Sequence, residues 1–186
     1  MGAGVLPTCI HKKKLYFLFG KEHEYCDTPG WSDFGGGTDD SETYLQTAIR
    51  EGGEELTGFL GSDADLSRML KANGTYNIDH NSGGSKHGTY RMHIFRMDYD
   101  SALPHYYNNN QRFLQSHLDV AIIKKTKIFE KAEIRWICID DLPKMRKQFR
   151  SYFQNIVDKI CNQQSKIYNF IAKSKKKHNF TRKNRK

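Results

Sequence analysis

The sequence predicts an α/β fold around one core. Short apolar runs suited to strands alternate along the chain with stretches of helical periodicity. Hydrophobic residues make up 37% and charged residues 27% of the chain, which supplies enough apolar surface to exclude global disorder. The 186 residues accommodate one domain of roughly 100–150 residues with an appendage, and fall short of two full domains.

Taken in order, residues 15–19, Leu-Tyr-Phe-Leu-Phe, lie between Lys12-Lys13-Lys14 and Gly20-Lys21 and read as a buried strand. A loop rich in Gly, Asp and Thr follows over residues 27–41. Residues 43–56 are helical: at about 100° per residue, Leu45, Ala48, Ile49, Gly52 and Leu56 fall on one side. Glu51, Glu54 and Glu55 gather on the other side. Residues 67–73 leave a short helix and a loop open. Residues 74–79 and 90–99 read as strands, the second with the alternation of a sheet that faces water on one side. The stretch Asn81-Ser82-Gly83-Gly84-Ser85, within residues 77–88, marks the hairpin loop between them. Residues 101–111, with Asn108-Asn109-Asn110, read as an exposed loop. Residues 133–139 form a last strand, stopped by Asp140-Asp141-Leu142-Pro143.

Beyond that stop, Met145, Phe149, Tyr152, Phe153, Ile156, Val157 and Ile160 recur at steps of three and four, predicting one long amphipathic helix. The expected organisation is a domain over residues 1–143, a C-terminal helix over 144–172 packed on or beside it, and a basic disordered tail over 173–186. The charge follows this division. Residues 144–186 hold 14 Lys and Arg against the single acid Asp158, so of the total charge of +9 the first 143 residues carry −4. An acidic core beside a basic extension suits a metal-binding centre next to a surface that attracts phosphate chains. A tail that only confers solubility is the plainer alternative.

Cys9, Cys26, Cys138 and Cys161 lack the short spacings of zinc or redox motifs. His80, His87 and His93 sit in irregular settings and read as surface histidines rather than a zinc site. The opening Met1-Gly2-Ala3-Gly4-Val5-Leu6 lacks the apolar run of a signal peptide, and Leu6 stands where a myristoylation motif needs Ser or Thr. No stretch approaches the roughly 18 apolar residues of a membrane span. The expectation is a soluble intracellular protein without a membrane partner, cytoplasmic, or nuclear by way of its basic tail.

The chemistry concentrates in Gly36-Gly37-Thr38-Asp39-Asp40-Ser41-Glu42 and, after seven intervening residues, Arg50-Glu51-Gly52-Gly53-Glu54-Glu55. Glu51, Glu54 and Glu55 stand at i, i+3 and i+4, so three carboxylates share one helical face with Cβ atoms about 5–6 Å apart. Such a cluster is costly unless a cation neutralises it, and a hard divalent ion with oxygen ligands, Mg²⁺ or Mn²⁺, is the natural one. The glycines let the backbone turn sharply or approach a substrate.

This segment resembles the Nudix box: Gly, five residues, Glu, seven residues, Arg-Glu, a hydrophobe, any residue, Glu-Glu, any residue, Gly, a hydrophobe. The chain departs from the pattern at Phe34 (often Pro), Ser41 (often Gly), Gly52 (usually a hydrophobe) and Thr57, with Gly58 one residue late. The resemblance extends to Trp31-Ser32-Asp33-Phe34, Ala132-Glu133-Ile134-Arg135-Trp136 and Ile139-Asp140-Asp141-Leu142-Pro143, covering about residues 3–143. It implies an α/β/α sandwich around a mixed sheet, with the box as a loop-helix-loop. It also implies metal ligation by Glu51, Glu54 and Glu55, support of the site by Gly36, Gly37, Glu42 and Arg50, and hydrolysis of a pyrophosphate bond in a nucleoside diphosphate linked to another group.

In relatives that cut messenger RNA caps, a Glu six residues before the late Trp is the usual general base, which maps to Glu130 ahead of Trp136. The resemblance makes Glu130 a base or further metal ligand, with Glu133 the alternative. Taken alone, each would read as a surface carboxylate paired with Lys127 or Lys131. Residues 130–143 resemble decapping Nudix enzymes, including those of large DNA viruses, and the Lys, Asn and Ile bias fits an AT-rich genome. Lys173, Lys175, Lys176, Lys177, Arg182, Lys183, Arg185 and Lys186 are the expected nucleic-acid contacts. Capped RNA is thus the first expected substrate. Dinucleoside or diphosphoinositol polyphosphates are the alternative, and a catalytically silent nucleotide- or RNA-binding Nudix module is the alternative of another class.

Overall fold

The computed structural model describes residues 1–23, 26–81, 88–125 and 130–174. Strand β1 (Gly2–His11) has no two-residue alternation to mark it in the sequence, because it runs through the middle of the sheet with both faces covered. Ala3, Val5 and Cys9 are buried on one side and Leu6 on the other. Along one edge β1 pairs parallel with β6 (Thr89–Arg96). Along the other it pairs antiparallel first with β4 (Phe34–Gly37), through Gly2 to Val5, and then with β2 (Lys14–Glu22), through Thr8 to His11. Leu6 and Pro7 fall between those two ladders, where a residue lacking an N–H is tolerated.

On its far side β2 carries β7 (Lys131–Cys138), and at the end of the edge it shares with β1 it carries β3 (Trp31–Ser32), both antiparallel, while β5 (Tyr76–Asn81) closes the opposite end on β6. The result is a mixed seven-stranded sheet. One face is covered by α1 (Tyr44–Glu55), α2 (Asp63–Asn73) and α3 (Ala102–His117), whose Ala48, Leu66, Leu70 and Tyr107 pack with Val5, Phe34, Phe95 and Ile134. Short α4 (Val120–Lys125) and α5 (Leu142–Met145) flank β7 in the chain. Phe149, Phe153, α6 (Gln154–Asn162) and α7 (Gln164–Lys173) cover the other face, packing Ile156, Ile160, Ile167 and Ile171 on Leu6, Phe17, Phe19 and Met92. Helices on both faces make an α/β/α sandwich, and no described helix is long and apolar enough to cross a membrane.

The open choice at residues 67–73 falls to a helix, and three expectations are corrected. Residues 67–73 belong to α2, which starts at a Ser62–Asp65 capping box. Residues 101–111 are not a loop but most of α3: Leu103, Tyr107 and Gln111 bury one face of it, and Asn108 brackets the backbone of Ile134. Its Nδ2 donates to the Ile134 carbonyl at 3.1 Å and its Oδ1 accepts from the Ile134 N–H at 2.8 Å, so tertiary bonds override the weak helix propensity of asparagine. Strand β6 does not face water on one side, since Met92, His93, Ile94 and Phe95 are all buried. Finally, the long C-terminal helix is broken into pieces. Phe149 bridges to Trp31 on β3, and the Arg150 N–H donates to the Trp31 carbonyl at 3.1 Å, drawing the backbone out of helical geometry before α6. The hairpin loop expected between β5 and β6 lies in large part, at residues 82–87, outside the described residues.

Candidate active site

Helix α1 begins at a capping box in which the Thr43 hydroxyl accepts from the Gln46 N–H and the Gln46 side chain accepts from the Thr43 N–H. It lies close to β1 because Gly52 has no side chain: a Cβ there would stand 2.6 Å from Val5 Cγ2. This accounts for the missing hydrophobe at that position. After the helix, the left-handed turn falls on Thr57 (φ 48) as well as on Gly58 (φ 74), an unfavourable conformation for a β-branched residue.

Arg50 ties the loop before the helix to the helix itself. Its Nε donates to Glu42 Oε1 at 2.9 Å, and its Nη2 donates to Glu42 Oε2 and to the Gly37 carbonyl, both at 3.0 Å. Hydrogen bonding from Arg50 holds the Glu42 carboxyl down at about 2, with Thr47 and the Asp39 N–H contributing further bonds. The Nη1 of Arg50 donates to Glu51 Oε1 at 2.7 Å. Gly36 makes room for that carboxylate, since a Cβ there would meet Glu51 Oε1 at 2.6 Å, whereas the space beside Gly37 is open. Glu54 reaches outward, its side chain 38% exposed and 3.7 Å from Arg50.

Glu55 points the other way and is buried. Its Oε2 accepts from the Gly35 N–H at 2.8 Å, and its Oε1 lies 3.2 Å from the ammonium of Lys131. Burial raises its carboxyl well above the usual carboxylate range, and the charges of Glu22, Asp33 and Glu130 add to the effect while Lys131 opposes it. The antiparallel register of β2 and β7 sets Glu22 opposite Lys131, with a shift in the ladder between Lys21 and Glu22. There the fully buried Lys131 donates to Glu22 and, at 2.9 Å, to Ser32 Oγ. Arg150 donates to the same Glu22 oxygen at 2.8 Å. Burial works against the charge of Lys131, yet Glu55 and Glu22 hold its ammonium above the ordinary lysine range. Next to this group, burial pushes Asp33 up to about 7 even though the Tyr90 hydroxyl, 2.9 Å from both of its oxygens, donates to it.

The structure thus gathers Gly36, Gly37, Glu42, Arg50 and Glu51 into one clamp, with Glu54 at its mouth and Glu55 turned inward. Glu130 immediately precedes β7, its carbonyl accepting from the His23 N–H at 3.0 Å, and its charge is felt at Glu55. Glu133 lies on β7 and accepts from Arg135 at 2.6 Å. Lys131 is not the surface partner that either glutamate was expected to have. His80 and His93 are buried rather than on the surface, because His80 lies on the covered face of β5 and His93 within the buried run of β6, and His87 lies outside the described residues. Lys173 ends α7, in the helical layer across the sheet from α1. Lys175, Lys176, Lys177, Arg182, Lys183, Arg185 and Lys186 lie outside the described residues. Sequence reasoning missed Glu22, Ser32, Asp33, Tyr90, Lys131 and Arg150. The available signal was charge embedded in or abutting apolar strand runs, at Glu22 and Lys131.

No protein-family model matches the sequence, and no curated protein matches it. Solved structures do resemble it. A Nudix hydrolase from M. smegmatis is 16% identical with a TM-score of 0.50, 89% of this chain aligning with 86% of that one. A bifunctional NMN adenylyltransferase/ADP ribose pyrophosphatase from Francisella tularensis is 14% identical with a TM-score of 0.54, 89% of this chain aligning with 41% of that one. The likeness is one of fold, and it joins the α/β/α architecture to a glutamate-bearing helix clamped against a glycine-rich strand: the chain has the fold of the Nudix hydrolases.

Proposed function

We propose that this chain is a Nudix pyrophosphohydrolase, dependent on Mg²⁺ or Mn²⁺, that cleaves a phosphoanhydride bond in a nucleoside diphosphate linked to another group. The observation that carries the reading is the Arg50 clamp, which joins Glu42, Gly37 and Glu51 and leaves Glu54 facing outward. Among the described residues no three His, Cys, Asp or Glu side chains already converge on one point. The donor chemistry nevertheless fits a hard divalent ion: Glu51 and Glu54 offer carboxylate oxygens at the clamp, and Gly36 lacks the Cβ that would collide with the Glu51 carboxylate. Glu51 and Glu54 would hold the ion, with Glu55 turned inward behind them and Glu130 within electrostatic reach of Glu55. Such an ion, when bound, neutralises charge on the phosphate oxygens and lowers the pKa of its water. Arg50 fixes the loop, and the Gly35 N–H fixes the direction of Glu55. The Francisella tularensis neighbour, a bifunctional NMN adenylyltransferase/ADP ribose pyrophosphatase, was crystallised with AMP and a Mn ion.

Glu130 is the better candidate for the general base, because its charge reaches Glu55 and it stands six residues before Trp136. Glu130→Gln should lower kcat by roughly 10²- to 10⁴-fold and flatten the acidic limb of the pH profile, with Glu133→Gln doing much less. A large loss in Glu133→Gln beside a wild-type Glu130→Gln would reverse the assignment.

Capped RNA is the substrate we rank first, supported by the 14 Lys and Arg of residues 144–186 and by the likeness of residues 130–143 to decapping enzymes. Dinucleoside or diphosphoinositol polyphosphates come second. The test is incubation with Mg²⁺ and a panel of cap-labelled RNA, dinucleoside polyphosphates, nucleotide sugars and inositol pyrophosphates. Release of the cap nucleotide ahead of other products is the expected result. No product from any member would sink the hydrolase reading in favour of a silent nucleotide-binding module.

A further inference from the structure

The ammonium of Lys131 sits in a cage of hard oxygens. Ser32 Oγ is 2.9 Å away, Glu55 Oε1 is 3.2 Å away, and Glu22 is in direct contact. Glu22 and Ser32 accept its hydrogen bonds, and Glu55 pairs with its charge. They come from β3, α1 and β2, and the side chain they surround has no exposure at all. Its aliphatic stem runs over Gly20, where an added Cβ would stand 2.8 Å from Lys131 Cδ. Two carboxylates and a hydroxyl around one buried point are also the donors that a hard divalent ion takes. Both oxygens of Glu55 are already engaged, one by the Gly35 N–H and the other by this ammonium.

We propose that Lys131 is a resident cation of the carboxylate site: its ammonium fills the inner oxygen cage of Glu55, Glu22 and Ser32, a position a further divalent ion would otherwise take, and confines exchangeable metal to the outer carboxylates Glu51 and Glu54. This rests on the reading of α1 as a metal-binding helix. A chelator can remove an exchangeable ion but not a lysine, so the inner charge balance persists in metal-free protein, and Glu55 stays aimed before any ion arrives.

The test counts bound Mn²⁺ without substrate, by electron paramagnetic resonance of the free ion, in wild type, Lys131→Met and the double variant Lys131→Met/Glu22→Gln. Lys131→Met is expected to bind one more Mn²⁺ per chain than wild type, and its thermal midpoint should rise with Mn²⁺ more than that of wild type at matched ionic strength. The double variant loses one charge of each sign and empties the cage of a carboxylate. It should fold without metal and bind the additional ion about tenfold more weakly or not at all. A wild-type count in folded Lys131→Met overturns the proposal. So does failure of Lys131→Met to fold in saturating Mn²⁺, since an ion able to replace the ammonium should restore it. Wild type that binds no Mn²⁺ overturns the metal-site reading and the proposal together. Wild-type binding that is lost in Glu54→Gln upholds the metal-site reading whichever way Lys131→Met behaves.

Discussion

Glu54→Gln is expected to reduce turnover by more than about 10²-fold, beyond the roughly 10- to 100-fold lost when a group merely supporting a metal ligand is changed. The same substitution should leave the unfolding midpoint within the scatter of ordinary surface changes, about 0.5 kcal/mol. Both halves follow from geometry. Glu54 is the most exposed of the three box glutamates, its side chain 38% accessible, and Arg50 lies 3.7 Å away rather than in a close bond. Removing its charge therefore opens no cavity and leaves no buried cation unpaired. Glu55→Gln should lose turnover as well, but with a stability cost, since it strips charge from a buried carboxylate that faces Lys131. Steady-state kinetics with Mg²⁺, paired with thermal unfolding of the same samples, checks the contrast. Retention of more than a tenth of the activity by both variants would remove these residues from the metal site.

The largest expected effect on stability lies across the sheet from α1. Phe153→Ala should destabilise the protein by about 3–5 kcal/mol, the range for deleting a buried aromatic side chain. Phe153 has no exposure, its ring meets Phe19 edge-on at 6.1 Å, and it stacks with Phe149 at 6.0 Å. It sits where the broken C-terminal helix turns back onto the sheet, so its loss unseats Ile156, Val157 and Ile160 as well. Urea denaturation measures this directly. A change under about 0.5 kcal/mol, the level of a surface substitution, would mean that the C-terminal helices decorate the sheet rather than complete its core.

The legible parts of the fold and site were those with strong local patterns. Three glutamates at helical spacing and an arginine eight residues after Glu42 state their geometry in the chain, and α1 follows them. The aromatic run at residues 15–19 is equally plain in β2. Strand β1 was illegible because burial on both faces removes alternation, and α3 because Asn108 is held by a backbone bracket rather than by propensity. The break at Phe149 was hidden in an otherwise regular apolar period, since its cause is the bond from Arg150 to Trp31 on another element. The inner half of the site shared that difficulty. Glu22, Lys131 and Arg150 each look like an ordinary surface charge until the register of β2 and β7 sets two of them face to face.

The same constellation dictates when the site can form during synthesis. Lys131 leaves the ribosome 109 residues after Glu22, and Arg150 leaves 128 residues after it. The acid is thus produced long before either of its cations, and the helix carrying Glu55 is finished while the strand that neutralises it has yet to be translated. Contacts this far apart in sequence close slowly, because the entropy of a long loop must be overcome before they return any stabilisation. Assembly of the inner site is therefore a late and non-local event, coupled to the arrival of the last helices, and a nascent chain halted before residue 131 holds its acidic half open to water.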